Sequence, residues 1–374
     1  MTKLHELAEL GQAIWFDYIS RSLVVSGELE ELVDQGLRGV TSNPSIFEKA
    51  IAGSADYDED LNRLVRDGRS VTEIYEDLAM ADIRSAADIL RPVYEKSGGA
   101  DGFVSLEVNP ALAHDTEATI AEARRLFASL ERPNVMIKVP ATPAGIPAVE
   151  SLIGEGININ VTLIFSLEQY ENVAAAYIAG LEKLALSGGD LGKVASVASF
   201  FISRVDTAVD KALEEIGNAG IQGKIAICNA KIAYSRFRQI FSSERWQKLA
   251  AQTARVQRPL WASTSSKNPA YPDTLYVDNL IGPDTVNTLP PATLDNFLDH
   301  GTVAATVETD VDGARNRMAE LTELGIDLDA ITNKVLDEGV AAFAKSFEGL
   351  IASIAAKRRR LLDGGQQASA SSGS

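Results

Sequence analysis

Apolar and polar positions along this chain follow two rhythms. Short runs dense in apolar residues recur between longer stretches in which apolar residues return every three to four positions. The short runs fall at 13–17, 39–42, 103–108, 135–141, 159–165, 194–201, 258–264 and 285–289, and each is expected to be a strand. The longer patterns predict helices at 28–35, 71–95, 116–130, 144–153, 167–186, 206–216, 224–254, 294–299, 311–323 and 329–362. Strands alternating with helices argue for a parallel sheet with helical crossovers. Eight such units favour an α/β fold closed as a (β/α)8 TIM barrel with extra helices. The competing doubly wound sheet is expected to carry G-x-G-x-x-G after its first strand, and none is present. Residues 1–363 are read as one barrel domain. Residues 364–374 are Gly, Gln, Ala and Ser, cannot bury apolar surface, and are expected to be disordered.

Composition narrows the partners. The formal net charge is −17, which repels nucleic acid and anionic membranes, so neither is an expected partner. The basic block 357–360 is read as the end of the last helix, complementing its dipole. The first ten residues are not expected to act as a signal peptide, and no apolar run approaches the roughly 20 residues that span a membrane. The single cysteine, Cys228, lies in an apolar stretch and reads as a packing residue, which suits a reducing, cytoplasmic compartment. His5, His114 and His300 lie far apart without ligand spacing, so no metal site is expected.

In a barrel of this kind, chemistry belongs at the C-terminal ends of the strands. The fourth run, Val135-Met136-Ile137-Lys138-Val139-Pro140-Ala141, places a lysine inside an apolar strand. Burial penalises an ammonium, and the neutral amine is the form that attacks a carbonyl to give a Schiff base. Thr142-Pro143-Ala144-Gly145 then reads as a tight turn into a helix. The second run ends in Gly39-Val40-Thr41-Ser42-Asn43-Pro44-Ser45. There Asn43 offers both donor and acceptor, and Ser45 with Glu48 reads as a capping box. The first run ends in Asp17 and the third in Glu107, while Asn160 and Thr162 share one side of the fifth. An amine with carboxylates, hydroxyls and amides on neighbouring strands is the set a Schiff-base aldolase needs. Near the end of the sixth run stands Ser199 and beyond it Arg204, and beyond the seventh come Ser265 and Lys267. Cations and hydroxyls at a barrel mouth suggest phosphate binding, with pairing of Arg204 to Asp206 or Asp210 as the alternative.

The segments 39–45 and 135–145 resemble the two signature segments of the transaldolase family, in matching order and separation, and the likeness runs over roughly residues 4–362. Asp17, Glu107, Asn160, Thr162, Ser199 and Arg204 are similar to that family's strand-end residues. The loop at 265–267 departs from it, since an arginine is common there. The resemblance implies a class I aldolase-like barrel without metal or organic cofactor. It implies transfer of a dihydroxyacetone unit from sedoheptulose 7-phosphate to glyceraldehyde 3-phosphate, giving erythrose 4-phosphate and fructose 6-phosphate, in the pentose phosphate pathway. It further implies Lys138 as the Schiff-base lysine and Glu107 as acid/base through a water that Thr162 helps hold. Asp17 would handle the substrate hydroxyl proton, Asn43 and Asn160 would bind hydroxyls, Ser199 the dihydroxyacetone end, and Arg204 the phosphate. The substrates would be sugar phosphates and the protein a monomer or homodimer. The alternatives are a fructose 6-phosphate aldolase-like lyase, a metal-dependent aldolase and a non-catalytic sugar-phosphate-binding barrel.

Overall fold

The structure, a computed structural model, describes residues 2–371, with side chains through Asp363. Eight strands form the expected barrel: β1 (Gln12–Phe16), β2 (Gly39–Thr41), β3 (Phe103–Glu107), β4 (Val135–Pro140), β5 (Ile159–Ile164), β6 (Ser196–Phe201), β7 (Arg258–Ala262) and β8 (Thr285–Leu289). They pair in chain order, all parallel, and β8 closes onto β1. Nearly every strand residue is buried, because one face packs inside the barrel and the other under helices. Inside, Trp15 fills the space beside Gly39, where a Cβ would lie 2.6 Å from the indole. That glycine admits a large ring into the barrel interior.

Register places the polar residues. Glu107 pairs with Lys138, and Lys138 with Asn160, so three neighbouring strands present these side chains to the same face. β5 is irregular: its pairing with β6 shifts between Val161 and Ile164, and Leu163 has φ +59. A branched residue held there is a local cost of the kind found where a site is shaped.

Several helices escaped the sequence pattern, among them Lys3–Glu9, Arg21–Val25 and Asp58–Arg66, whereas Pro44–Gly53 was signalled by the capping-box reading at Ser45. The helix expected at 224–254 is two, Ile225–Ile240 and Glu244–Ala250, because the Ser243 side chain caps the second at Trp246 N. Asn43, not Ser45, caps Pro44–Gly53: its Oδ1 accepts from Ile46 N at 3.0 Å, and Pro44 takes the first helical position.

The last helix, Leu328–Ser371, crosses the barrel mouth and packs along Pro44–Gly53. The Ser45 hydroxyl donates to Ser346 Oγ at 2.8 Å. Lys357 donates to Ile51 O and Ser54 O at 3.1 and 3.0 Å, so this cation caps a neighbouring helix rather than its own. By length and composition this helix is apolar enough to cross a membrane, contrary to the sequence expectation. Its residues Val335, Leu336, Val340, Phe343, Leu350 and Ile354 are buried against the barrel. The expected disordered tail falls on residues whose side chains, and in 372–374 whose backbone, lie outside the described ones.

Beyond β1, Arg21 anchors the chain to the long helix Val71–Lys96. Its Nε donates to Asp82 at 2.5 Å, and the Tyr57 hydroxyl donates to the other Asp82 oxygen at 2.8 Å. Asp82 is buried, and Asp82→Ala takes from the half-buried Arg21 guanidinium one of its two carboxylate partners, leaving Asp60 at 2.5 Å. This substitution is expected to cost about 1.5–3 kcal/mol in urea unfolding at pH 7, the size of lost hydrogen bonds to a charged group. A loss below about 1 kcal/mol would show that the network is dispensable.

Candidate active site

At the C-terminal ends of the strands the barrel opens into a pocket of about 110 Å³. Asp17, Asn43, Lys138, Thr162, Ser199, Arg204, Ser265 and Lys267 all line it. Eight residues chosen from the sequence thus converge on one cavity, although they span 250 positions of chain, 17 to 267. Glu107 and Asn160 sit beside Lys138 on β3 and β5 and are not among the lining residues.

Lys138 is 5% exposed. Its Nζ donates to Ser42 O at 2.9 Å and lies 3.2 Å from Glu107 Oε2. The contact with Glu107 is an ion pair without hydrogen-bond alignment, since Oε2 has no hydrogen-bond partner among the described residues. Thr162 Oγ1 is likewise buried without a partner. Such groups are costly unless another molecule completes them. Burial raises the Glu107 carboxyl above the ordinary carboxylate range, opposed by the charges of Lys138 and Arg204. Burial raises Asp17 as well, opposed by Lys138, Lys267 and Arg204.

Asn160 is fully engaged within the protein. Its amide donates to Ser105 Oγ at 3.1 Å, and its carbonyl accepts from Ser199 Oγ at 2.7 Å. Asn43 spends its carbonyl on the helix cap and keeps its amide NH2 at the pocket wall.

Arg204 stands in the first turn of the helix Ser203–Glu215. Neither sequence-level alternative for it holds. Asp206 accepts from Ala226 N and Asp210 from Gly223 N, and among the described residues no carboxylate lies within ion-pair distance of Arg204. Its guanidinium rests between two rings, 5.4 Å from the centre of Phe201 and 5.7 Å from that of Phe343. Phe343 also lies 5.9 Å from Lys138 Nζ, so the last helix covers both cations. Gly339 lets that helix come close, since a Cβ there would lie 3.1 Å from Leu163 and 3.3 Å from Arg204.

Thr41, Phe201, Ser263, Thr288 and Phe343 also line the pocket and were not singled out from the sequence. Thr41 and Thr288 obey the same strand-end rule as the others and were findable by it. Phe343 carried no signal, because one aromatic on an amphipathic helix looks like any core residue.

A closed parallel barrel with its polar pocket at the carboxyl ends of the strands is the class of protein described so far. Comparison with known proteins places it further. The family described as transaldolase/fructose-6-phosphate aldolase matches residues 14–354. A transaldolase of Trichodesmium erythraeum is 50% identical over 372 residues, covering 96% of this chain and 98% of its own. Transaldolase 2 of Nostoc punctiforme is 50% identical over 366 residues, covering 94% and 96%. A transaldolase of Thermobifida fusca is 50% identical over 357 residues, covering 94% and 97%. The chain belongs to the transaldolase/fructose-6-phosphate aldolase family.

The electrostatics give a testable pH dependence. Arg204 pulls both Asp17 and Glu107 down towards their ordinary range. Removing that cation lets both carboxyls rise, so higher pH is needed to ionise them. Arg204→Gln is therefore expected to move the acid limb of the kcat/KM profile to higher pH. An unmoved limb would show that neither carboxylate governs it.

Proposed function

We propose that this chain is a transaldolase, moving a dihydroxyacetone unit from sedoheptulose 7-phosphate to glyceraldehyde 3-phosphate. The observation that carries this reading is the buried Lys138 amine, 3.2 Å from Glu107, in a pocket with Asp17 and cations at its rim. Lys138 attacks the ketose carbonyl at C2. The carbinolamine so formed must lose its oxygen as water, and that oxygen needs a proton. Glu107 supplies it through a water. The unused hydrogen-bonding capacity of Glu107 Oε2 and Thr162 Oγ1 supports a water held there. The C3–C4 bond then breaks as Asp17 takes the C4 hydroxyl proton, and the three-carbon unit stays on Lys138 until an aldehyde acceptor arrives. Asn43 and Ser199 bind hydroxyls, with Asn160 acting through Ser199, which it holds at 2.7 Å. Arg204, with no carboxylate partner among the described residues, is free for the phosphate, joined by Ser265 and Lys267. The substrates on this reading are sugar phosphates and the setting is the cytoplasm.

Transfer is separated from lyase activity by the acceptor. With fructose 6-phosphate as donor and erythrose 4-phosphate as acceptor, sedoheptulose 7-phosphate is expected to accumulate. Without acceptor, little dihydroxyacetone should appear. Rapid release of dihydroxyacetone without acceptor would establish the aldolase reading instead, and no turnover in either assay would leave a binding barrel.

Two carboxylates at different points along the substrate divide the proton work. Lys138→Ala is expected to abolish turnover with the fold intact. Asp17→Asn should still form a borohydride-trappable adduct but cleave about 10²- to 10⁴-fold more slowly, whereas Glu107→Gln should form the adduct slowly. Single-turnover trapping time courses distinguish the two, and the opposite pattern would reverse the roles.

A further inference from the structure

Arg204 and Lys267 pose an electrostatic problem. Both are cations at one pocket, and Arg204 helps push the Lys267 amine below its ordinary range, after burial. Like charges on a helix and a loop separate unless the scaffold holds them. The loop carrying Ser265 and Lys267 is tied down at both ends to the helix that carries Arg204. At its start, Ser203 N donates to Ser263 O at 3.0 Å, and the two hydroxyls lie 2.9 Å apart. At its far end, the Tyr271 hydroxyl donates to Asp210 Oδ2 at 2.7 Å.

The far tie is built with care. Asp210 is buried, and its other oxygen accepts from Gly223 N at 2.9 Å. Gly223 has φ +67, and a Cβ there would lie 2.7 Å from the Tyr271 ring, so the backbone of the turn supports the ring face. Burial and the Asp210 charge push the Tyr271 hydroxyl up, which keeps it a donor throughout the neutral range. Within the loop, Tyr271 N donates to Asn268 O, Ala270 N to Asn268 Oδ1, and the Ser266 hydroxyl to Asn268 O. The segment between the ties is thus a compact turn.

We propose that Tyr271 and Asp210 form a clamp that holds Lys267 against Arg204, making Tyr271 a positioning residue for the phosphate of the substrate. This rests on the reading of Arg204 and Lys267 as phosphate ligands. Substrate phosphate relieves the repulsion between the two cations, so the clamp matters most before the phosphate is bound. Its loss therefore falls on binding rather than on chemistry at Lys138.

Tyr271→Phe keeps the ring and removes only the tie, while Gly223→Ala drives the ring off its seat by a different route. Each is expected to raise KM for fructose 6-phosphate about tenfold, the size of one lost hydrogen bond to a charged group, with kcat unchanged. Inhibition by inorganic phosphate should weaken by the same factor. Adduct formation with unphosphorylated dihydroxyacetone, trapped by borohydride, should not change. Unaltered KM and phosphate inhibition in folded Tyr271→Phe would overturn the clamp, as would equal losses with dihydroxyacetone. Absence of any trapped adduct in the unmutated protein would instead overturn the proposed function, so the two failures are distinguishable.

Discussion

A lysine ammonium buried against a carboxylate, inside a closed ring of strands, is the constraint from which the rest of the structure can be followed. Taking both charges from water costs several kcal/mol each, and only close pairing with further hydrogen bonds offsets it. Lys138 meets that demand with Glu107 on one side and the Ser42 carbonyl on another. Ser42 precedes Asn43, which caps the helix Pro44–Gly53. That helix seats the last helix through Ser45 and Ser346, and the last helix returns Phe343 to within 5.9 Å of Lys138. The dependence is circular: the amine fixes the turn, the turn starts a helix, and the helix carries the lid that covers the amine.

The same constraint explains how so acidic a protein can accept anionic substrates. A net charge of −17 repels a phosphate dianion at long range. Around the pocket the balance is local and different, with Lys138, Arg204 and Lys267 facing Asp17 and Glu107. Burial already holds the two carboxyls towards their protonated forms, so the pocket is less negative than its composition suggests. Asp206 and Asp210, the nearest carboxylates to Arg204 in sequence, instead accept from the backbone amides of Ala226 and Gly223, and Arg204 stays unspent. A cation held between aromatic rings, rather than by a carboxylate, keeps its hydrogen-bond donors for a ligand.

Most of the barrel and its pocket was legible in the sequence, for one physical reason. A strand of a closed parallel barrel is buried on both faces, so polar residues near its C-terminal end stand out against apolar neighbours. Asp17, Lys138, Thr162 and Ser199 were visible in this way, and register then brought them together. The short helices Lys3–Glu9, Arg21–Val25 and Asp58–Arg66 were not visible, because five to nine residues give too few turns to display a period. Asn43 was misread in favour of Ser45 because proline at the first helical position shifts the cap back by two residues. The engagement of Asn160 depends on Ser105 and Ser199, residues 55 and 39 positions away, and no local pattern reports it. Phe343 and the Tyr271–Asp210 tie belong to the same class of contact, made by tertiary packing between segments whose local patterns are ordinary.

The central claim is that the barrel singles out one amine for covalent chemistry by where it holds it, at the strand ends beside Glu107. Lys231 supplies an internal control, since it too is buried but donates to Thr309 O and Thr309 Oγ1 outside the pocket. The decisive measurement is peptide mapping by mass spectrometry after borohydride reduction in the presence of fructose 6-phosphate. The account predicts a single three-carbon adduct on Lys138 and none on Lys231 or Lys267. An adduct on another lysine, or an unmodified Lys138 under conditions of turnover, would contradict it.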